Sequence, residues 1–216
     1  MSELNYELLR RAMVSNQLRT AAVNDPRVVE AMRAIPRERH VPADSAPLAY
    51  LDRAIALGAG RALNPPMATG RLLTEAHPLP GDRALVVGAA TGYAAALLAE
   101  LVTSVTALEE DAGLLAVARA SGASPRVTFV EGPLAKGWKK GAPYDLILID
   151  GAVEHVPQAI IDQLSPEGRL ATAIVDRGVT RLCIGRKAGT AFGLNAFADA
   201  DAVILPGFAR PRGFEF

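Results

Sequence analysis

The sequence predicts an α/β protein in which a mostly parallel, doubly wound sheet follows a helical N-terminal part. From residue 83 onward, short apolar runs alternate with stretches of helical periodicity. This alternation is typical of strands and crossover helices in a parallel sheet that is covered on both faces. Before that point the apolar residues recur mainly at helical spacing, which predicts helices that pack over the sheet.

Composition limits the function classes that the chain can belong to. Its 216 residues suit one large domain, or one domain with a smaller appendage, and half of them are hydrophobic. The 23 basic and 23 acidic residues cancel, so charge alone favours neither a nucleic acid nor a membrane as a partner. A single cysteine, Cys183, fits a reducing compartment, and the N-terminus does not look like a signal peptide. We therefore expect a cytoplasmic protein.

Residues 1–79 predict three helices and an irregular connection. Helical spacing runs from Tyr6 to Leu18, and a second helix is expected in "VNDPRVVEAMRAI", where Asn24 or Asp25 can cap the first turn. The stretch from Pro36 to Pro66 is rich in proline and glycine and predicts no long element. A short third helix is expected in "MATGRLLTEAHPL". We place a domain boundary after it, between residues 79 and 80.

Residues 80–216 predict the sheet and its helices. The strand candidates are, in order, "ALVVG", "SVTALE", "RVTFVEG", "YDLILIDG", "RLATAIV", "RLCIGRK" and "AVILPGF". Helices are expected between the first strands, in "YAAALLAEL", "DAGLLAVARASG" and "VPQAIIDQLSPEG". Because no helix separates the last strands, we expect an antiparallel pair at the C-terminal edge.

Two glycines bracket the turn between the first strand and its helix, Gly88 and Gly92. In a doubly wound sheet this turn lies at the carboxyl ends of the strands, where nucleotides bind. Thr91 offers a hydroxyl there, and the helix N-terminus favours a negative group. Glu109 ends the second strand, 17 residues after Gly92, where an acid accepts the hydroxyls of an adenosine ribose. The pattern predicts an adenosine-containing cofactor and does not separate a dinucleotide from S-adenosylmethionine.

The order and spacing of several segments match one enzyme family. The segments are "QLR…VNDPRVVEAMRAIPRERHVP", "LAYLDRAIALGAGRALNPP", "ALVVGAATGYAAALLAEL", "VTALEED" and "APYDLILIDGAVEHVPQAIIDQLSPEGRL". From about residue 13 to residue 205, the chain resembles the protein-L-isoaspartate O-methyltransferase family. The resemblance implies a seven-stranded, Rossmann-like class I methyltransferase fold, with the substrate loop in the N-terminal helical subdomain. It also implies methyl transfer from S-adenosylmethionine to isoaspartyl carboxylates of damaged proteins.

The family's catalytic position falls on Asn64. The family carries Thr-Ile-Ser-Gln-Pro after a Gly-x-Gly turn, and this chain has "ALNPP" there, from Ala62 to Pro66. Asn64 replaces the serine that the family ties to catalysis, and its amide nitrogen can still donate to a substrate carboxylate. The alternative interpretation is that Asn64 only turns the chain before two prolines.

The predicted cofactor positions include three departures from the family pattern. Val86 stands where the first strand commonly carries an acid, and Ala90 replaces the middle glycine of the loop. Pro133 replaces an aspartate that lies beside the adenine. Losing a hydrogen bond to a charged group costs about 1.5–3 kcal/mol, so these changes weaken the expected site. Asp150, at the end of the fourth strand, can restore some polarity. The full predicted cofactor set is Gly88, Ala90, Thr91, Gly92, Glu109, Pro133 and Asp150.

Two alternatives stand beside an active methyltransferase of isoaspartyl residues. A catalytically degenerate member can act as a non-enzymatic binding protein, or the enzyme can use a changed carboxylate substrate. A nicotinamide-dependent oxidoreductase is disfavoured, because the loop lacks Gly-x-Gly-x-x-Gly. No metal site is expected, since the three histidines show no ligand spacing.

Overall fold

The computed structural model describes residues 4–122 and 124–210 of the chain. Residues 1–3, at the start of the predicted helical subdomain, and residues 211–216, at the end of the predicted second domain, lie outside the described residues. The boundary between residues 79 and 80 stays a prediction.

The N-terminal part contains the three expected helices. Helix α1 spans Tyr6–Met13 and continues as a π-helical turn over Val14–Leu18. Helix α2 spans Pro26–Ala34; its first turn is capped by Asp25, which accepts a hydrogen bond from the Arg27 backbone N–H over 2.9 Å. Helix α3 spans Pro66–Ala76.

A short antiparallel hairpin precedes α3 and was not expected from the sequence. Its strands are β1, Ile55–Gly58, and β2, Arg61–Leu63. The turn between them has a positive φ at Gly58, Ala59 and Gly60 in succession. Glycine adopts such angles without strain, which explains why this glycine-rich segment can reverse so tightly. The hairpin forms a sheet of its own, separate from the main one.

The main sheet has seven strands and confirms the predicted fold class. Its order is β5-β4-β3-β6-β7-β8-β9. The strands β3 to β7 run parallel, and β8 and β9 add to the edge in antiparallel fashion, as expected. Helices α4, α5 and α6 connect the parallel strands. The bounds are β3 Arg83–Val87, α4 Tyr93–Ala99, β4 Ser104–Glu109, α5 Ala112–Ala120, β5 Val127–Glu131, β6 Tyr144–Val153, α6 Gln158–Ile161, β7 Leu164–Asp176, β8 Val179–Ala188 and β9 Ala191–Asp199.

Two predictions near the C-terminus were wrong. The helix expected in "VPQAIIDQLSPEG" is only Gln158–Ile161, because Leu164 already pairs with Tyr144 in the sheet. The strand expected in "AVILPGF" does not form; Ile204 makes a single parallel bridge to Ala152 at the end of β6. The edge position is taken instead by β9, whose residues are half exposed and were not recognised as a strand.

The N-terminal helices pack on the sheet through one continuous hydrophobic cluster. Met13, Met32 and Leu72 belong to the same buried cluster as Leu97 of α4 and Val86 of β3. This packing lays the segment around Asn64 over the carboxyl ends of the parallel strands. No helix in residues 4–122 and 124–210 is long and apolar enough to cross a membrane.

Candidate functional site

The loop after β3 has the sharp geometry that its sequence predicts. Gly88 and Gly92 have φ values of 80° and 87°, and Gly92 caps the start of α4. Ala90 has a φ of 48°, in the left-handed region that costs an L-residue other than glycine about 1–2 kcal/mol. The backbone thus still takes the shape of a loop with a central glycine, although an alanine stands there.

Glu109 lies at the end of β4, beside this loop, and is completely buried. Its Oε2 accepts a hydrogen bond from the Ala90 backbone N–H over 2.7 Å. Its Oε1 accepts from the backbone N–H groups of Glu110 and Asp111 over 3.0 and 3.2 Å. Oε1 also forms an ion pair with the guanidinium of Arg61. Four donors therefore reach this carboxylate, and no solvent does.

Arg61 comes from the first position of β2 and its side chain is 4% exposed. The Nε atom finds no hydrogen-bond partner among the described residues, so the charge depends on Glu109. Burying a guanidinium costs free energy, which the paired carboxylate offsets here. Sequence reasoning passed over Arg61, although it lies three residues before Asn64 in the "GAGRALNPP" stretch.

Leu205 covers the same loop from the other side. A Cβ atom placed on Gly88 would lie 3.0 Å from Cδ1 of Leu205 and 3.3 Å from Nη2 of Arg61. A Cβ placed on Gly151 would lie only 2.5 Å from Cγ of Leu205. The backbone of Leu205 donates to the Ala152 carbonyl over 2.9 Å, which fixes its position beside β6. The space directly above Gly88 is therefore filled by the chain itself.

Asn64 and Asp150, which the sequence suggested for separate roles, contact each other directly. The Asn64 Nδ2 donates to Oδ1 of Asp150 over 2.8 Å, and the Asn64 Oδ1 accepts from the Val203 backbone N–H over 2.8 Å. Both side chains are buried. Burial raises the pKa of Asp150 above its usual value, against the opposing effects of the Asn64 amide and the charges of Arg37 and Arg61.

Arg37 contacts the backbone of Asn64 and was not anticipated from the sequence. It is fully buried, and its Nε donates to the Ala49 carbonyl over 2.8 Å while Nη2 donates to the carbonyl of Asn64. The guanidinium also lies 4.8 Å from the centre of the Tyr93 ring, within the range of a cation–π contact. Burial lowers the pKa of Arg37.

Thr91 is engaged with the N-terminal part rather than free for a ligand. Its Oγ1 donates to the His40 carbonyl over 2.6 Å, and the His40 Nδ1 lies 2.8 Å from the Thr91 carbonyl. Pro133 lies apart from these residues in an exposed position after β5, where it begins a short 3₁₀ turn. The residue before it, Gly132, contacts the end of β4: its backbone N–H donates to the Glu109 carbonyl over 3.1 Å.

The arrangement as a whole does not accommodate an adenosyl cofactor in the conformation described. Glu109 is the acid expected to hold the ribose, and its carboxylate is saturated by Arg61 and backbone donors. The surface of Gly88, where the cofactor would approach the backbone, is covered by Leu205. Among the described residues, no group of three or more His, Cys, Asp or Glu side chains can hold a metal ion.

Comparisons with known proteins show which family this chain resembles over most of its length. Residues 9–194 match the family model described as "Protein-L-isoaspartate(D-aspartate) O-methyltransferase (PCMT)". A protein-L-isoaspartate O-methyltransferase of Methylorubrum extorquens is 39% identical over 167 residues, covering 76% of this chain and 73% of that protein. One from Pelotomaculum thermopropionicum is 34% identical over 182 residues, covering 83% of this chain and 80% of that protein.

Solved structures confirm the fold. A protein-L-isoaspartate O-methyltransferase superposes with a TM-score of 0.78 at 21% identity, covering 92% of this chain and 66% of that one. A Plasmodium falciparum protein, assigned the same activity and solved with S-adenosyl-L-homocysteine, gives a TM-score of 0.75 at 17% identity. That alignment covers 94% of this chain and 99% of the other.

Proposed function

The chain belongs to the protein-L-isoaspartate(D-aspartate) O-methyltransferase family, and on that premise we propose that it is a protein carboxyl methyltransferase that uses S-adenosylmethionine. Its substrate is the free carboxylate of an isoaspartyl residue in a damaged protein or peptide. The observation that carries the proposal is the match over residues 9–194, which includes Asn64, the Gly88–Gly92 loop, Glu109 and Asp150.

The chemistry of this reaction suits the side chains that the site provides. The nucleophile is already a carboxylate, so the enzyme needs no strong base. It needs to orient one carboxylate oxygen and to exclude water. We assign the orienting role to Asn64, because its amide lies in the buried cluster over the strand ends, where a serine stands in the family. S-adenosylmethionine supplies the methyl group when it is bound.

In the described conformation the site is closed to the cofactor and to the substrate carboxylate. Arg61 and Leu205 fill the positions that the cofactor needs, and the Asn64 amide donates to Asp150 rather than to a substrate. The proposed function therefore requires a second conformation, in which the β1–β2 hairpin and the segment around Leu205 have moved away from Gly88.

We further propose that the protein acts in the cytoplasm on a protein or peptide substrate that carries isoaspartate, and not on a nucleic acid or a membrane. The chain has one cysteine, Cys183, which is buried and has no second cysteine in the chain to pair with, and this agrees with a reducing compartment. The family's substrate is a polypeptide, and the balanced charge of the chain suits recognition of a local chemical defect rather than of a polyanion.

Methyl transfer to matched peptides tests the proposed function. The wild-type protein is incubated with S-adenosylmethionine labelled in the methyl group and a peptide that carries either isoaspartate or aspartate at one position. Base-labile label on the isoaspartyl peptide, above that on the aspartyl peptide, is the expected result. Equal background on both peptides at millimolar cofactor contradicts the proposal.

The saturated Glu109 carboxylate favours one other candidate, a member of the family that has kept the fold and lost the cofactor. Such a protein would act by binding alone. It predicts no heat of binding for S-adenosyl-L-homocysteine at millimolar concentration, and no methyl transfer to any peptide. Methylation of the isoaspartyl peptide by the wild type, lost in a Glu109→Ala variant, would exclude this second candidate.

A further inference from the structure

The ion pair between Arg61 and Glu109 involves the carboxylate that is expected to bind the hydroxyls of an adenosine ribose. Glu109 is 0% exposed and ends β4, at the edge of the sheet where nucleotides bind in this fold class. The acid is retained in the chain, but a cation of the same chain takes one of its oxygens. A ribose hydroxyl must therefore compete with a charged, prepositioned donor.

Arg61 reaches this position from an element that lies outside the main sheet. The β1–β2 hairpin pairs only with itself, and its turn residues, Gly58 to Gly60, are exposed. Withdrawing Arg61 breaks no ladder of the main sheet. It exposes Glu109, which keeps the three backbone donors from Ala90, Glu110 and Asp111. In the open form the Arg61 guanidinium has therefore left Glu109, and the hairpin that carries it has moved away from Gly88.

Leu205 adds a second obstacle that carries no charge. It lies against Gly88 and Gly151, and it is held by the Asn64 side chain through Val203 and by the Ala152 backbone. A cofactor that lies on the Gly88 backbone must displace this side chain as well. The two obstacles are independent in sequence and in chemistry, so each can be removed alone.

We propose that Arg61 is the residue that determines cofactor affinity in this chain, by occupying the ribose-binding carboxylate in place of the cofactor. The inference rests on the proposed function for the identity of the cofactor. When the binding-competent form is a small fraction of the population, the apparent dissociation constant rises by the inverse of that fraction. An open form of about 1% would weaken the binding of S-adenosyl-L-homocysteine about 100-fold.

Titration calorimetry with S-adenosyl-L-homocysteine tests the proposal on the full chain. The variants are Arg61→Ala, Arg61→Gln and Leu205→Ala. The control is Arg169→Ala, which removes a comparable ion pair with Asp82 at the opposite, amino edge of the sheet. We expect Arg61→Ala to bind at least about tenfold more tightly than the wild type. Leu205→Ala is expected to bind more tightly too, and Arg169→Ala equally to the wild type.

The outcomes separate this inference from the proposed function. Equal dissociation constants for the wild type and the Arg61 and Leu205 variants overturn the inference, as does the absence of heat from all of them. If Arg61 has only a structural role, its removal lowers the midpoint of thermal unfolding and does not lower the dissociation constant of the ligand.

If the wild type methylates the isoaspartyl peptide and Arg61→Ala leaves the affinity unchanged, the inference fails and the function stands. If Arg61→Ala binds tightly and the wild type transfers no methyl group, the inference stands and the function fails. Should Arg61→Ala not fold, Arg61→Gln, which removes the charge, decides between the same outcomes.

Discussion

The Asn64 amide donates to the Asp150 carboxylate over 2.8 Å, across 86 positions of sequence. This bond joins the segment before α3 to the end of β6, and it gives a buried acid its neutral partner. The Asp150 side chain has no ion pair within the described residues. Its charge is therefore balanced only at longer range, by Arg37 and Arg61, and this has consequences for stability.

Asp150→Asn is expected to remove a pH-dependent loss of stability. Burial raises the native pKa of Asp150 above the value of 3.8 that the unfolded chain has. Between these two values the native state binds more protons than the unfolded state, so the free energy of unfolding falls as the pH rises through this window. Each unit of difference is worth about 1.4 kcal/mol at neutral pH.

Urea unfolding at pH 4.5 and pH 7.5, on wild type and Asp150→Asn, measures this effect. The asparagine can still accept from Asn64, so the comparison isolates the charge. We expect the variant to gain stability relative to the wild type as the pH is raised. A difference that is constant between the two pH values contradicts the raised pKa.

His40 is expected to destabilise the protein in mild acid. Burial lowers its native pKa below the ordinary value of 6.5. Below that pH the unfolded state binds more protons than the native state, so the free energy of unfolding falls as the pH drops toward the native pKa. His40→Asn retains a donor toward the Thr91 carbonyl, and its stability should fall less between pH 7.5 and pH 5 in urea titrations. His155→Asn is the control, since it removes a similar imidazole–carbonyl contact, to Phe208, at a half-buried site.

The fold was predictable from the sequence because its signals are local. The apolar runs that form β3, β4 and β6 and the helical spacing between them depend on neighbouring residues only, and so does the cap that Asp25 gives to α2. The strand β9 was missed because alternate residues face solvent at an edge and leave no continuous apolar run.

The contents of the site were predictable only in part. Topology alone brings Gly88, Glu109 and Asp150 to one edge of the sheet, since each lies at or near the carboxyl end of a parallel strand. The partner of Glu109 is 48 positions away, in a hairpin whose existence depends on packing, and no local pattern reports it. Leu205 belongs to a segment that looked like a strand and instead covers Gly88. Both features depend on contacts between residues that are distant in the sequence.

Ala90 and its neighbour provide a matched test of backbone strain. Ala90 has a φ of 48°, whereas Ala89 has a negative φ, and both methyl groups are buried. Ala89→Gly loses a buried methyl group and backbone restriction, and we expect it to cost about 1 kcal/mol. Ala90→Gly suffers the same losses and also relieves strain of about 1–2 kcal/mol, so it should leave stability nearly unchanged or raise it. Equal losses in urea unfolding of the two variants would show that Ala90 is not strained.

The Arg61–Glu109 pair is expected to respond unequally to loss of its two members. Glu109→Gln leaves the Arg61 guanidinium buried with no carboxylate, which costs about 3–5 kcal/mol. Arg61→Ala leaves Glu109 with three backbone donors, and we expect about 1.5–3 kcal/mol, the value of one hydrogen bond to a charged group.

A double-mutant cycle in urea, with the Arg61→Ala and Glu109→Gln variants, measures the asymmetry and the coupling together. In the double variant the arginine that Glu109→Gln leaves unpaired is absent, so the two losses should not add. We expect the double variant to be at least as stable as Glu109→Gln alone. Strict additivity would mean that the two side chains are not energetically coupled. A larger loss from Arg61→Ala than from Glu109→Gln would mean that the backbone donors alone do not hold the carboxylate. In that case Arg61 would be required for folding, and it could not leave the site to admit a cofactor.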